Sequence, residues 1–166
     1  MRSFRAFLIS FVLLTALWLF LAGSLDTQEL IVGAATALLL SILFAGRLRV
    51  LADFRWTPAA VLHGFLYFWV FLWALLRSNL DVARRVLDPR LPIQPGIVRV
   101  RTKLKSRLGR LALANSITLT PGTLTVETHD DTFYIHWIDA ADMNDIEQAT
   151  QKIVSSFERH LEVIFG

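Results

Sequence analysis

The sequence predicts α-helical membrane segments followed by a small α+β domain, and three observations support this fold class. The chain of 166 residues is 54% hydrophobic with a mean hydropathy of +0.50, which is too apolar for an ordinary water-soluble domain. Three runs without Asp, Glu, Lys or Arg cover Ala6–Leu25, Leu30–Gly46 and Trp56–Leu76. Because a spanning helix needs about 20 mainly apolar residues and about 17 at the lower limit, the first and third runs qualify and the second is marginal. Beyond residue 96 the apolar residues recur with the periods of strands and amphipathic helices.

The first run follows Arg2 and Arg5, a start that suits either a membrane anchor or a cleavable signal peptide. A signal peptide has an apolar core of roughly 7 to 15 residues and a small-residue cleavage site. This run is longer and meets a second apolar run at once, so we expect an anchor. The chain contains no cysteine, which excludes disulfides, thiolate metal sites and a cysteine nucleophile.

Basic residues around the apolar runs set the expected topology. If the first two runs form a hairpin with Ser24–Glu29 outside, five arginines lie on the cytoplasmic side: Arg2, Arg5, Arg47, Arg49 and Arg55. The third run cannot then cross the membrane and also leave the following domain inside. Either it spans and the N-terminus is outside, against the charge count, or it lies within or along the membrane against partner subunits. Because this run is apolar all round, we expect a full span or burial against other proteins.

The third run begins a longer helix. Thr57 suits an N-cap with Pro58 at the first helical position, and the helical pattern continues to Leu87, before Asp88 and Pro89 stop it. A proline-rich linker of limited flexibility follows. The chain is therefore divided into a membrane domain of two or three membrane helices over 1–88, the linker 89–96, and a cytoplasmic α+β domain over 97–166.

The soluble part has the element order β-α-β-β-α, which predicts helices packed on one face of a short sheet. The expected elements are a strand over Ile97–Lys105, a helix capped by Ser106 and running through Leu119, strands over Thr123–Thr128 and Thr132–Ile138 that pair as a hairpin, and a final helix opened by Asp142 and Asp145 in a variant capping box.

Charge is segregated in the soluble part. Ten Arg or Lys residues stand against two acids between Arg77 and Arg110, whereas nine acids stand against two bases between Glu127 and Glu162. Basic clusters beside a membrane segment are favoured on the cytoplasmic face, where anionic lipid attracts them. The residues expected to contact anionic lipid are Arg77, Arg84, Arg85 and Arg90. A nucleic-acid partner is not expected, because these bases lack interleaved aromatic residues for base stacking.

Residues Leu113–Glu127 contain a sequence motif that neither helix and strand propensity nor the hydrophobic pattern requires. The segment Ala114–Thr123 reads Ala-Asn-Ser-Ile-Thr-Leu-Thr-Pro-Gly-Thr. It resembles the signature of the MrpE family (also MnhE or PhaE), whose members belong to Mrp-type multisubunit cation/proton antiporters. The resemblance implies a required, noncatalytic subunit in a bacterial plasma membrane, with ion translocation carried by larger partner subunits that resemble the proton-pumping subunits of respiratory complex I.

The signature itself is rich in side chains that cap helices and fix turns. Its polar and turn-forming residues are Asn115, Ser116, Thr118, Thr120, Pro121, Gly122 and Thr123. Pro121 presets a turn dihedral and Gly122 permits positive φ, so we expect structural or subunit-contact roles. Ser116 has no glycine elbow and no identified base, which argues against a serine hydrolase.

Few ionisable groups are available for an ion path. His63 is the only group of physiological pKa in the apolar runs, and it suits a packed or interface histidine better than a proton relay. Tyr67, four residues on, could share its environment. Asp26 and Glu29 lie between the first two runs, where we expect solvated loop residues, a helix cap at Asp26, or a cation entrance for a neighbouring subunit.

No cofactor or metal is expected. The group His129, Asp130, Asp131 and His136 contains ordinary zinc ligands, but its spacing is not diagnostic of a metal site. The chain carries no phosphate loop, dinucleotide fingerprint or haem motif. Nor do its residues suggest a nucleophile, a base and an oxyanion donor, so an enzyme ranks last among the hypotheses.

Two function hypotheses remain from the sequence. The first is an accessory subunit for assembly and stability of a monovalent cation/proton antiporter, in a multi-pass arrangement with its C-terminal domain in the cytoplasm. The alternative is a membrane-anchored regulatory module that binds lipid through its arginines and a soluble partner through its acidic final helix.

Overall fold

The structure is a computed structural model that describes residues 2–44, 53–140 and 145–166, with the side chains of residues 2, 3 and 5 left aside. The chain forms two compact units, 1–54 and 55–166. The first contains helices α1 (Arg2–Ala22) and α2 (Thr27–Leu43). The second contains α3 (Pro58–Leu87), β1 (Gly96–Arg101), α4 (Arg107–Leu119), β2 (Thr123–His129), β3 (Thr132–Trp137), α5 (Ile146–Ile153) and α6 (Ser155–Phe165).

Small residues line the contact between α1 and α2. Gly33, Ala37 and Ser41 recur every fourth residue on α2 and are its buried positions. A Cβ atom added at Gly33 would lie 2.5 Å from Cδ1 of Trp18 on α1, so only hydrogen fits there without a shift. Small residues at this spacing let two helix backbones approach closely, as in helix pairs within membranes.

The ends of the long helices follow local chemistry. Helix α1 ends at Ala22, before the expected limit at Leu25, because Gly23 adopts φ +63° and closes the helix with a left-handed residue. Thr57 caps α3 as expected: its Oγ1 accepts from the backbone N of Ala60 at 3.1 Å. Among the described helices, Pro58–Leu87 alone combines the length and hydropathy needed to cross a membrane, and Ala6–Ala22 and Thr27–Leu43 are shorter apolar helices.

The three strands form an antiparallel sheet of order β1-β3-β2, and β2 and β3 pair as the expected hairpin. One face of the sheet is buried by Val98, Val100, Phe133 and Ile135. Helices α4 and α5 contact the sheet, and α6 contacts α4, α5 and α3. The expected arrangement of helices against one face of a short sheet is thus present, with α3 as an additional outer helix.

Strand β1 is shorter than predicted because its last residues form bonds outside the sheet. The ladder ends at Arg101 rather than Lys105. The backbone N of Thr102 donates to Asp131 O at 2.8 Å, and the N of Lys103 donates to the buried carboxylate of Glu158 at 2.6 Å. Alternating burial therefore continues past the end of the strand.

The predicted final helix is two helices, divided at Val154. Val154 is fully buried, and it is both the C-cap of α5 and the N-cap position of α6. Asp145 is the N-cap of α5, accepting from the N of Glu147 at 3.1 Å. The predicted start at Asp142 lies outside the described residues.

Packing divides the chain differently from composition. The composition groups residues 1–88 as membrane domain, whereas α3 belongs to the same compact unit as the sheet. Hydropathy shows that a side chain is excluded from water, but it does not show whether lipid or another part of the protein covers that side chain. The linker is also anchored, because the N of Gln94 donates to Ile138 O at 3.0 Å and its O accepts from the N of Ala140 at 2.8 Å.

Candidate functional site

One face of α3 is packed against the α+β domain along almost the whole helix. Near its start His63 lies beside His160 of α6, with ring centroids 5.2 Å apart. Phe71 lies 6.4 Å from the ring of Phe157. Near its end Arg85 binds Asp139, just beyond β3. The polar side chains His63, Tyr67 and Arg85 of this helix lie on the face that meets the domain.

Tyr67 connects α3 to the family signature. Its hydroxyl is hydrogen-bonded to Oγ of Ser116, which is 4% exposed. Ser116 donates its only hydroxyl proton to Ala112 O at 2.7 Å, so Tyr67 is the donor in their shared bond. This bond occupies the serine hydroxyl and fixes α4 against α3.

His63 and His160 form a second connection between α3 and α6. The Nδ1 atoms of both rings are buried without a hydrogen-bond partner among the described residues. Burial lowers the pKa of His160, and the neighbouring His63 and Arg159 lower it further. The neutral form of His160 is therefore favoured, and its protonation costs more than it would in water.

The signature turn is held by threonine hydroxyls. Thr120 Oγ1 donates to Ser116 O at 2.7 Å, and Thr123 Oγ1 contacts both Ile117 O at 2.6 Å and Thr120 O at 2.8 Å. Gly122 has φ +89°, and a Cβ there would meet Ile138 at 3.0 Å. These bonds satisfy carbonyls that the end of α4 leaves open.

The rest of the signature connects α4 to β2. Thr118 Oγ1 accepts from the N of Thr125 at 3.1 Å, and Thr125 Oγ1 donates to Ala114 O at 3.2 Å. Asn115 is exposed, and Pro121 is half-buried in the turn. Ser116, Thr118, Thr120 and Thr123 thus form internal bonds, while Asn115 faces outwards.

The four arginines expected at lipid differ in their surroundings. Arg85 bridges Asp81 and Asp139, with 2.8 Å to each carboxylate. The hydrogen bonds to the two carboxylates raise the pKa of Arg85 above its ordinary value. Arg90 pairs with Asp88 at 3.3 Å. Arg77 and Arg84 are exposed and form no ion pair within the described ranges. Arg85 is thus occupied by internal contacts, and Arg77 and Arg84 remain open to an external anion.

The acids between the first two helices also differ. Asp26 is exposed at the N-cap position of α2, but its side chain makes no cap bond. Glu29 accepts a hydrogen bond from Nε1 of Trp18 at 3.0 Å, which joins α2 to α1. Sequence reasoning missed this contact, because Trp18 and Glu29 are joined only by the tertiary fold.

The opposite face of α3 is apolar and uncovered within its own unit. Its exposed large side chains between residues 61 and 76 are Val61, Leu62, Phe65, Leu66, Phe68, Trp69, Trp73 and Leu76. This set, called the outer face of α3 below, is about 24 Å long. A contiguous apolar surface of this size is typical of a protein–protein or membrane contact.

The possible metal ligands among the described residues are dispersed. No three His, Cys, Asp or Glu side chains among them come together to hold a metal ion. His129, Asp130 and His136 are exposed on the β2–β3 hairpin. The buried Glu158 accepts from Thr102 Oγ1 at 2.5 Å as well as from Lys103, so its carboxylate fastens the end of β1.

Comparison with known proteins identifies the family. A family model described as Na+/H+ ion antiporter subunit matches residues 11–164. The chain is 35% identical to the E1 subunit of the Na+/H+ antiporter of Staphylococcus saprophyticus over 150 residues, 89% of each protein. It is 34% identical to the E subunit of the Bacillus subtilis antiporter over 155 residues, 92% of this chain and 94% of that protein. The match to the E subunit of the Alkalihalophilus pseudofirmus antiporter is 44% identical over 90 residues and spans 56% of that protein.

A solved structure shares the fold. One chain of the membrane-bound sulfane sulfur reductase, an archaeal respiratory membrane complex, superposes with a TM-score of 0.81 at 44% identity, covering 96% of this chain and 99% of that one. The resemblance seen in Ala114–Thr123 is therefore confirmed over nearly the full sequence. The chain belongs to the family of Na+/H+ ion antiporter E subunits.

Proposed function

We propose that this chain is a noncatalytic accessory subunit of a multisubunit monovalent cation/proton antiporter, and that it assembles with the other subunits through its apolar helices. The observation that carries the noncatalytic role is the character of those helices. Between Ala6 and Leu43 the described residues contain only Asp26 and Glu29 as charged groups, and both lie around the connection between α1 and α2. Ion carriers need ionisable groups within the membrane, and Glu29 already bonds Trp18.

We further propose that α3 lies along the cytoplasmic surface of the membrane and does not cross it. Its contacts with the α+β domain run from His63 to Arg85, a rise of about 33 Å. The hydrocarbon core of a bilayer is about 30 Å thick. A spanning α3 would carry the attached domain into lipid, including the exposed Arg159 and Glu162 of α6. Charges at that depth are costly.

This arrangement agrees with the positive-inside rule. A hairpin of α1 and α2 returns the chain to the side on which it started, so the arginines around the hairpin and the α+β domain share the cytoplasmic side. The outer face of α3 is then available to the membrane interface and to partner subunits. The resulting location is a bacterial plasma membrane with the C-terminal domain inside.

A second assembly is supported by the structural likeness to a chain of an archaeal respiratory membrane complex. The same subunit fold occurs there at 44% identity, so we also consider a respiratory complex as host. The two hosts differ in their partners: an antiporter supplies transport subunits alone, whereas a respiratory complex adds redox subunits with bound cofactors.

Affinity purification tests the assembly directly. A tagged full-length chain is purified from mildly solubilised membranes, and the bound proteins are identified by mass spectrometry. Recovery of large polytopic antiporter subunits is the expected result, and additional redox subunits would assign the chain to a respiratory host. Recovery of the chain alone, or with soluble proteins only, would contradict the accessory role and favour an anchored regulatory module.

A further inference from the structure

A groove of about 560 Å³ lies beside the outer face of α3. Its walls come from α3, the signature turn, the end of β3, and helices α5 and α6. Trp73 and Arg77 line it from α3, Thr120 and Pro121 from the signature turn, and Lys152 from α5. A cavity of 300–1,000 Å³ is ligand-sized, and none of the roles given above to the signature uses this space.

The charges in the groove favour an anion. Its two lining carboxylates, Asp81 and Asp139, are both bound by Arg85. Arg77 and Lys152 form no ion pair with any carboxylate in the part of the chain that the structure describes. Lys152 is held over the ring of Trp137, with Nζ 4.6 Å from the centroid. The groove therefore presents two cations that internal acids leave unneutralised.

The apolar lining favours an amphiphile over a simple anion. Trp73 is 68% exposed and belongs to both the groove and the outer face of α3. Val70 and Phe157 extend the apolar wall inwards. An occupant with a charged head at Arg77 and Lys152 and a hydrocarbon part at Trp73 matches both surfaces. Indole rings beside basic side chains are also typical of the membrane interface.

We propose that this groove binds the phosphate of an anionic glycerophospholipid between Arg77 and Lys152, with the acyl chains passing Trp73 onto the outer face of α3. The inference rests on the proposed membrane position of α3. It extends lipid contact from the arginines of α3 to a site shared with the signature turn and with α5. The signature residues Thr120 and Pro121 then form one wall of a lipid site in addition to closing α4.

Tryptophan quenching tests the site in the intact complex. The complex is reconstituted in phosphatidylcholine nanodiscs containing phosphatidylglycerol with brominated acyl chains, which quench nearby indoles. Trp73 lies beside the proposed path of the acyl chains, and the difference between wild type and Trp73→Phe isolates its emission. We expect this emission to be quenched more strongly by brominated phosphatidylglycerol than by brominated phosphatidylcholine at the same content.

Charge variants give the decisive comparison. Arg77→Gln and Lys152→Gln should each weaken the apparent lipid affinity about fivefold, the effect of one basic residue at an anionic surface. Lys152→Arg should retain binding, and Arg99→Gln, which removes an exposed cation on β1, should leave it unchanged. Unaltered quenching in both Gln variants, or equal quenching by phosphatidylcholine, would overturn the proposal.

Two further measurements separate the possible sources of failure. Displacement of the lipid by millimolar inorganic phosphate would assign the groove to free phosphate and overturn the lipid assignment. Affinity purification of the Arg77→Gln, Lys152→Gln double variant should still recover partner subunits. If the wild-type chain recovers no partner subunits, the proposed assembly is refuted. If the complex stays intact but binds no lipid, only the proposed lipid site in the groove is refuted.

Discussion

The α1–α2 hairpin and helix α3 both contain long apolar runs, yet they pack by different means. In the hairpin, the glycine and small side chains of α2 pack against α1: Gly33, Ala37 and Ser41. Helix α3 instead uses His63 and Tyr67 to reach specific partners in the α+β domain. The difference indicates that apolar runs of membrane length can serve two purposes, close helix pairing in one unit and attachment of a polar domain in the other.

The largest expected effect comes from filling the hairpin contact. Gly33→Leu places a branched side chain where a Cβ alone would lie 2.5 Å from Trp18, so the Trp18 ring must move or the helices must separate. Overpacking of this kind costs about 1–3 kcal/mol or more. We expect a severalfold loss of the chain from membranes, measured by immunoblot, together with loss of co-purified subunits.

Helix α3 supplies the matched control. A Cβ at Gly64 has no atom within 4 Å, and Gly64→Ala improves helix propensity by up to about 1 kcal/mol. Its abundance should equal or exceed that of wild type. Equal tolerance of Gly33→Leu and Gly64→Ala would mean that α1 and α2 are not closely packed.

The next effect is expected from the bond between α3 and the signature. Tyr67→Phe removes a hydrogen bond to the buried Ser116 hydroxyl, which costs about 1 kcal/mol and lowers the melting midpoint by about 2–4 °C. The full-length chain in mild detergent is monitored by circular dichroism. Ser116→Ala and the double variant complete a cycle, and strictly additive losses would contradict a direct bond.

A smaller, pH-dependent effect is expected from His160. Because burial lowers the pKa of His160, the unfolded chain binds the proton more readily than the folded one. The stability associated with neutral His160 is therefore fully present above the unfolded-state pKa of histidine, about 6.5, and is lost as the pH falls below that value. The melting midpoint of His160→Gln should depend less steeply on pH between about 7 and 5 than that of wild type.

Exposed histidines on the sheet hairpin serve as controls. His129→Gln and His136→Gln remove imidazoles that lie in solvent, so each variant should keep the wild-type pH slope. A wild-type slope in His160→Gln would show that acid sensitivity arises elsewhere in the chain.

The smallest effect is expected from Arg85. Its bridge to Asp81 and Asp139 is partly solvent-exposed, so Arg85→Gln should cost about 1 kcal/mol or less. Arg84→Gln, at an exposed neighbouring position, should be neutral. The melting midpoints of the two variants are compared at low and high salt, where only the Arg85 difference should shrink. An equal decrease in the melting midpoint of both variants would mean that the ion pairs of Arg85 with Asp81 and Asp139 do not stabilise the protein.

Local signals predicted most of the secondary structure. The caps at Thr57 and Ser106 and the β2–β3 hairpin follow from a few adjacent residues, and each is present. Tertiary contacts explain the misses. Strand β1 ends early because Glu158, far along the chain, binds the N of Lys103, and the final helix breaks where Val154 enters the core.

The face of α3 that contacts the domain could have been predicted from the spacing of its residues, but sequence reasoning overlooked it. His63 and Tyr67 are four residues apart, and Ser78 and Arg85 recur at intervals of seven from Phe71. These positions fall on one side of a helix. Their partners could not be predicted, because His160 and Asp139 come from elements whose placement depends on the whole fold.

The placement of α3 is tested most directly by cysteine labelling, for which the cysteine-free chain is a ready background. Single variants Ala59→Cys and Arg90→Cys mark the two ends of α3, and Gln28→Cys marks the start of α2, next to its connection with α1. Each is treated with an impermeant maleimide in intact cells and in inside-out vesicles. The account predicts that Ala59→Cys and Arg90→Cys react only from the cytoplasmic side and Gln28→Cys only from outside. Reaction of the two ends of α3 from opposite sides would contradict it and establish a spanning helix.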